Sequence, residues 1–174
     1  MSAPKSNDLE KRLEAAYHRM MERVHEALHS AEEHTLTPVR KLIDRARDTA
    51  VELKELSREE ADNVAAYLKR DLDDAGEHIA NTGEELKAWF RFDLGQIEDR
   101  LLELFTRVAD QTSVELMQLA ERAQSNDQYT SGEITGPGTL YCSNCGYALV
   151  IESVRHIQAC PECGNEGYQR DPPE

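Results

Sequence analysis

The sequence predicts a mainly α protein, in which an antiparallel helical bundle or coiled coil is followed by a small C-terminal β module. Three observations predict this fold class. Apolar residues recur at helical spacing through most of the first 125 positions of the 174-residue chain. All four cysteines and most glycines lie after that point. Charged residues make up 31% of the chain and aromatic residues 6%, which is typical of long solvated helices with narrow apolar faces.

The first helix is predicted to begin near Asp8, after a disordered tail over residues 1–7, because Asn7 and Glu10 can form a capping box. Its apolar residues step by four and three positions and so share one face: Leu9, Leu13, Ala16, Met20, Val24, Ala27 and Ala31. If this face stays uncovered, it favours self-association of the helices into a homo-oligomer. Three histidines of the same helix are expected to point to solvent rather than bind a metal: His18, His25 and His29.

A helical hairpin is predicted to follow. Thr37 is expected to cap the second helix, with Pro38 at the first helical position, where its missing N–H costs nothing. Ser57 and Glu60 form a capping box at the start of the third helix. A tight turn near residues 56–58 would then reverse the chain, and one kinked continuous helix is the alternative.

Further capping pairs and an aromatic cluster continue the helical region, which is predicted to span residues 8–125. Thr82 pairs with Glu85, and Asp93 pairs with Gln96. Between the two pairs lies the expected densest part of the core: Trp89, Phe90 and Phe92. The final long helix is predicted to end near residue 124.

The composition changes after residue 125, where helical spacing disappears. Residues 126–138 are predicted to be a linker, residues 139–170 the β module and residues 171–174 a disordered tail. Gly136 and Gly138 are expected to let the linker backbone approach the bundle closely, which would dock the β module onto its end. Short strands are predicted at residues 140–141, 148–151, 157–159 and 168–170.

Two C-x-x-C-G turns, Cys142 to Gly146 and Cys160 to Gly164, carry the clearest chemical signal in the chain. A spacing of two lets each turn direct both sulfurs at one ion, so two turns supply four thiolates in a tetrahedron. We therefore predict a zinc ribbon with one structural Zn²⁺ bound by Cys142, Cys145, Cys160 and Cys163. The alternatives are unconnected redox or disulfide motifs, and a rubredoxin-like iron site with the same ligands. His156 is read as a loop residue near this complete ligand set, and three tyrosines are expected to cover the site: Tyr141, Tyr147 and Tyr168.

The net charge of −14 makes nucleic acid an unlikely partner, because such a field repels phosphate. The β module adds no basic patch, since residues 139–174 hold two basic and five acidic side chains. No apolar run approaches the roughly 20 residues that span a bilayer, and no signal peptide is recognisable at the start. Clustered cysteines without a disulfide pattern indicate a reducing compartment, so the cytoplasm is the expected location.

Five segments resemble one bacterial family. They are LSREE at 56–60, KRDL at 69–72, YTSGEITGPGTL at 129–140, CPECG at 160–164 and YQR at 168–170. With these segments the chain is similar to the YbeL-like zinc-ribbon-containing proteins, most closely from residue 129 onward. The resemblance implies zinc binding at the four cysteines, a bacterial cytoplasmic setting and no known activity.

No catalytic residues are predicted. The expected function is that of a non-enzymatic protein, a rigid acidic helical body that presents a zinc ribbon to a protein partner. The alternative is a transcription-associated factor that contacts RNA polymerase through its acidic hairpin and ribbon, by analogy of fold alone. Thiol–disulfide exchange would require a reactive, accessible thiolate in one of the cysteine pairs.

Overall fold

A computed structural model of the protein describes residues 6–30, 37–118 and 128–173. Within these ranges, five α-helices and a 3-10 turn at Leu94–Gln96 precede six short strands. The helices are α1 (Ser6–Ser30), α2 (Val39–Glu52), α3 (Arg58–Thr82), α4 (Leu86–Phe90) and α5 (Asp99–Gln118). The strands are β1 (Tyr129–Thr130), β2 (Ile134–Thr135), β3 (Gly138–Cys142), β4 (Ala148–Ile151), β5 (Arg155–His156) and β6 (Gly167–Gln169). The predicted fold class, a helical bundle followed by a small β module, is confirmed.

Helices α2 and α3 form the predicted antiparallel hairpin, so the kinked continuous helix is wrong. A ladder of ion pairs joins the two helices along their length: Arg40 with Asp73, Lys69 with Asp44, and Arg58 with Asp48. Helix α1 packs along both arms of the hairpin, and α5 packs chiefly on α3. The apolar faces of the four long helices meet in one continuous core.

The capping box at the start of α3 is present as predicted. The backbone N–H of Glu60 donates to the hydroxyl of Ser57 at 3.2 Å, and the N–H of Ser57 donates to the Glu60 carboxylate at 2.9 Å. Two backbone N–H groups that the helix itself leaves unpaired are therefore satisfied.

Replacing Ser57 with alanine is expected to lower the free energy of unfolding by about 1 kcal/mol, because one of these reciprocal bonds is lost. Chemical denaturation with urea measures this change. Thr49 is a suitable control, since its hydroxyl donates within α2 to Arg45 O and caps nothing. A Ser57→Ala variant as stable as the native chain would contradict the assigned cap.

Four other capping predictions are wrong in detail. Asn7 is the second residue of α1, which begins at Ser6, so it is not the N-cap of that helix. Pro38 rather than Thr37 is the N-cap of α2, and the Glu115 carboxylate of α5 accepts from the Val39 N–H at 3.0 and 3.1 Å. Thr82 is the last residue of α3, and its hydroxyl accepts from the Glu84 N–H, so it does not start α4. Asp93 does act as a cap, but of the 3-10 turn, through the Gly95 N–H at 3.0 Å. The last two of these boundaries lie in the short loops on either side of α4.

The buried side of α1 is wider than the predicted stripe. Tyr17 and Met21 are fully buried beside the expected Ala16, Met20 and Val24. Leu9 is 38% exposed at the beginning of the helix, and Ala31 lies outside the described residues. Because α1 contacts α2, α3 and α5, neighbours cover more than one face of the helix.

His25 was expected in solvent and is instead buried. Its side chain lies edge-on to His29 on α1, with ring centroids 4.4 Å apart and the two Nε2 atoms 3.1 Å apart. Burial is the main cause that lowers the pKa of His25. His18 and His29 retain solvent contact, as predicted.

The predicted aromatic cluster forms where α4 meets α5. Phe105 of α5 completes it, stacking on Trp89 at a centroid distance of 5.6 Å and lying 5.9 Å from Phe90. Phe92 meets Phe90 edge to face at 6.0 Å. These rings cover the end of the bundle on which the β module sits.

The β module contains a four-stranded antiparallel sheet in the order β1-β6-β3-β4 and a separate pair, β2-β5. Residues 129–135, which were expected to belong to a linker, thus form β1 and β2. The strand predicted at 157–159 is absent; β5 lies just before it at Arg155–His156. The predicted end of the last helix near residue 124 lies outside the described residues.

Candidate metal centre

The two cysteine pairs come together in the β module. Their four sulfur atoms all lie within 4.8 Å of one another: Cys142, Cys145, Cys160 and Cys163. The Sγ atoms of Cys142 and Cys163 are 3.6 Å apart, and so are those of Cys145 and Cys160. A tetrahedron with Zn–S bonds of about 2.3 Å has edges of about 3.8 Å, whereas a disulfide would need about 2 Å. The geometry fits one four-coordinate zinc ion.

Local backbone chemistry produces both cysteine turns. Cys142 ends β3, and the N–H of Gly146 donates back to its carbonyl at 2.9 Å. The second turn repeats the bond from Gly164 to Cys160 at 2.8 Å. Both glycines have positive φ, +74° and +73°, a conformation that other residues adopt only with strain. The glycine after each C-x-x-C pair is therefore part of the site's construction.

Hydrogen-bond donors surround the sulfurs. Desolvation raises the pKa of Cys142, yet the backbone N–H groups of Cys145 and Asn144 outweigh it and lower that pKa to about 6. The Asn165 amide also donates to this sulfur, at 3.6 Å. Such donors stabilise thiolates, the form in which cysteine binds a metal.

The comparisons with known proteins agree with this geometry. The family model described as "Zinc-ribbon containing domain" matches residues 26–172. The chain belongs to this zinc-ribbon family. It is 29% identical over 132 residues to "Uncharacterized protein YbeL" of Escherichia coli strains K12 and O157:H7, a match that covers 75% of this chain and 81% of each relative. No solved structure matches the chain.

The resemblance inferred from the sequence is thereby confirmed, and so is one structural Zn²⁺ as the cofactor. Every position of a tetrahedral zinc ion is filled by sulfur in this site, which leaves none for water or substrate. The metal thus holds the zinc ribbon together rather than activating a ligand.

Of the other residues expected near the metal, Tyr168 packs with Cys142 and Cys160 as predicted, and the rest are placed differently. His156 lies away from it, where its backbone N–H donates to Glu14 of α1 at 3.1 Å and its Nδ1 lies 3.1 Å from the same oxygen. Tyr168 is buried and donates to the carbonyl of Gln158. Burial first, and the nearby cysteines second, raise its pKa to about 12. Tyr147 is 37% exposed, and Tyr141 faces Arg91 of the bundle.

A group of polar side chains, all buried except the partly buried Arg70, joins the zinc ribbon to the bundle, and we call it the interlock: Tyr17, Arg70, Asp71, Asp74, Tyr129, Thr135 and Arg170. Asp71 of α3 is its centre and is fully buried. Its carboxylate accepts from the Gly136 N–H at 2.7 Å and from the Tyr17 hydroxyl at 2.5 Å. The pKa of Tyr17 is raised, first by burial and second by the negative charge of Asp71. The hydroxyl therefore stays protonated and donates. The Asp71 carboxylate therefore accepts hydrogen bonds from both α1 and the zinc ribbon.

Two arginines neutralise the buried carboxylates. Arg70 Nη2 lies 3.4 Å and Arg170 Nη2 3.6 Å from Asp71 Oδ1. The two guanidinium groups also lie against the ring of Tyr129, at 4.0 and 4.7 Å from its centroid. The Tyr129 hydroxyl donates to Asp74 and accepts from Arg170 Nε at 3.0 Å. Tyr129 starts the zinc ribbon and Arg170 follows its last strand, so both of its ends attach to α3.

The expected docking through Gly136 is present. A Cβ at this position would lie 2.9 Å from the Tyr17 hydroxyl and 3.1 Å from the Phe105 ring. A Cβ at Gly138 would collide with Arg170 Nη1 and press on the Trp89 ring. Because Gly136 and Gly138 carry no side chains, the backbone at β2 and β3 can approach the end of the bundle.

The interlock was not predicted from the sequence. Arg70, Asp71 and Arg170 look like ordinary surface charges of an acidic protein, and helical periodicity does not mark them. A signal was nevertheless available, because these three residues lie inside the KRDL and YQR segments that carry the family resemblance.

Proposed function

We propose that this protein is a non-enzymatic interaction protein in which the zinc ion folds the ribbon and the interlock fixes it to the acidic bundle. The fixed ribbon then offers a protein partner a preformed surface. The interlock is the observation that carries this proposal. A mobile appendage would not need a fully buried Asp71 bonded to both parts of the molecule. A preformed surface lowers the conformational entropy lost on binding.

The outer edge of the zinc ribbon is the proposed contact. Strand β4 lies at the edge of the sheet, and its free side can pair with an extended segment of a partner. Tyr147 and Val150 add exposed apolar area there, at 37% and 39%. With a net charge of −14, a basic protein segment is the complementary partner.

One further feature supports a structural rather than catalytic zinc site in a reducing cytoplasm. All four ligands are thiols, and none is joined to another in a disulfide. In the described part of the chain, no helix combines the length and hydrophobicity needed to cross a membrane.

The polymerase-contacting alternative is not proposed, because the hairpin tip does not project from the bundle. Arg23 of α1 holds Glu55, in the α2–α3 turn, by two hydrogen bonds of 2.7 and 2.9 Å. Arg12 pairs with Glu60 beside the same turn. A probing tip would need to be free on all sides.

The experiment is affinity capture with the zinc-loaded native chain, compared between two matched valine variants. Val150→Asp alters the ribbon edge, and Val114→Asp alters a similarly exposed valine on α5, at 45% against 39% for Val150. We expect Val150→Asp to lose a salt-sensitive partner that Val114→Asp retains. If the Val150→Asp variant captures the same proteins as the native chain, the proposed contact is contradicted. Recovery of RNA polymerase subunits would favour the polymerase-contacting alternative.

Thiol titration tests the non-enzymatic part of the proposal. The zinc-loaded chain should show no rapidly reacting thiol, and four should appear after chelation of the metal. A reactive thiol in the loaded chain would instead support thiol–disulfide exchange.

A further inference from the structure

The histidine pair of α1, His25 and His29, belongs neither to the metal centre nor to the interlock. The two residues are four positions apart, so their side chains share one face of the helix. Along α1, His25 lies eleven residues, about 16 Å, beyond Glu14, which contacts the zinc ribbon. The pair is therefore a separate cluster of potential metal ligands.

The spacing of the two rings fits a shared metal ion. Their Nε2 atoms are 3.1 Å apart. A tetrahedral zinc ion with Zn–N bonds of about 2.0–2.1 Å holds two ligand nitrogens about 3.3–3.4 Å apart. Two histidines four positions apart on one helix face are also an arrangement in which proteins bind zinc. A small adjustment of the two side chains would therefore place both nitrogens on one ion.

A direct hydrogen bond between the rings accounts for this geometry less well. In a linear bond, the ring centroids would be separated by 3.1 Å plus the two ring radii, which is more than the 4.4 Å found. The rings instead lie at an angle of 69° to each other, so an N–H of one does not lie in line with the lone pair of the other. An ion that both nitrogens bind would use both lone pairs.

The surroundings keep His25 in the protonation state that binds metals. Burial first, and the charges of His29 and Arg100 next, lower the pKa of His25, so its imidazole is neutral near pH 7. Arg107 acts in the same direction, and Glu103 acts in the opposite one. The Glu103 carboxylate pairs with both arginines, at 3.5 and 3.6 Å, and so offsets part of their charge beside the histidines. The net charge of −14 adds a field that attracts cations.

We propose that His25 and His29 form a second metal site, which binds one divalent transition-metal ion such as Zn²⁺ through their two Nε2 atoms. Imidazole nitrogens suit ions of this class. His29 is exposed, so the ion enters from its side, and water fills the remaining positions. The expectation that these histidines bind no metal depended on a solvent position for His25, which is instead buried. With two protein ligands, this site holds its ion more weakly than the four cysteines do.

Calorimetric titration with Zn²⁺ tests the proposal on the full chain whose zinc ribbon already holds its ion. We expect one further ion per chain, bound with a Kd below about 100 µM. His29→Gln removes one ligand from an exposed position and should weaken this second ion at least ten-fold. His18→Gln is the matched control, because His18 lies on the same helix but is paired with Glu22, at 3.8 Å. This control should leave the affinity unchanged.

Nuclear magnetic resonance gives a second readout that needs no variant. The imidazole nitrogen signals of His25 and His29 should shift together as Zn²⁺ is added, while those of His18 stay in place. The proposal is overturned if no second ion binds up to about 1 mM Zn²⁺. Equal weakening by His29→Gln and His18→Gln would also overturn it, because that result indicates adventitious binding to surface histidines.

Discussion

Replacing Cys160 with serine is expected to abolish zinc binding and to unfold the zinc ribbon. Three thiolates and a hydroxyl no longer form a closed shell for the metal. Zinc contributes apparent binding free energies of about 10–16 kcal/mol to the folding of small zinc domains, and this ribbon has only a small apolar core of its own. Metal analysis should fall from one zinc per chain to nearly none, and amide hydrogen exchange should show lost protection over residues 129–169.

Most helical structure should survive this change. The bundle core takes one fully buried apolar residue, Ile134, from the zinc ribbon among the described residues. Far-UV circular dichroism is therefore expected to change little at 25 °C, although the melting temperature should fall. Glu162→Gln is the matched control, because this exposed side chain lies between Cys160 and Cys163 in the same turn. Full zinc occupancy in Cys160→Ser would show that another group completes the ligand set.

Asp71→Asn is expected to have the second largest effect, a loss of about 3–5 kcal/mol in the free energy of unfolding. The change leaves Arg70 and Arg170 without a central counter-charge, and breaking a buried ion pair on one side costs about this much. In the native chain Oδ2 accepts from both Gly136 N–H and Tyr17, so an amide oxygen that keeps these two bonds places the new NH2 group at the Oδ1 position, against the two guanidinium groups. Thermal unfolding should report a fall of roughly 6–20 °C.

Asp73 offers a control of the same chemistry two residues away. The Asp73 carboxylate pairs with Arg40, whose side chain is 53% exposed, and burial raises the pKa of Asp73. Removing the charge of Asp73 should therefore cost little stability. Asp73→Asn should therefore cost less than about 1 kcal/mol. If the two variants lose equal stability, the interlock is not what holds the zinc ribbon to the bundle.

The metal ligands were predictable because their geometry is local. Each C-x-x-C-G turn spans five residues, and the chemistry of thiolates and glycine dictates what such a turn does. The Ser57 cap was predictable for the same reason, since its two hydrogen bonds join residues three positions apart. Local rules were sufficient wherever the partners are close in sequence.

The interlock and the burial of His25 depend on tertiary contacts that no local pattern contains. Asp71 bonds to Thr135 and Gly136, 64 and 65 residues further along the chain. A helical wheel assigns His25 to the solvent face because it assumes one buried stripe, yet α1 packs against α2, α3 and α5. Charged side chains are rarely buried, so residue type alone also predicts that the charged residues of the interlock lie on the surface.

The long separations within the interlock also bear on folding kinetics. Contacts between distant residues form slowly, because a long loop must close before any of them is made. The α2–α3 hairpin can form early from neighbouring residues, whereas Glu14 meets His156 only across 142 residues. We expect the zinc ribbon to present Tyr129 and Arg170 together to α3 only after the metal has brought its strands together. Zinc supply should then set the rate of the last folding step, and refolding should slow as free zinc is lowered.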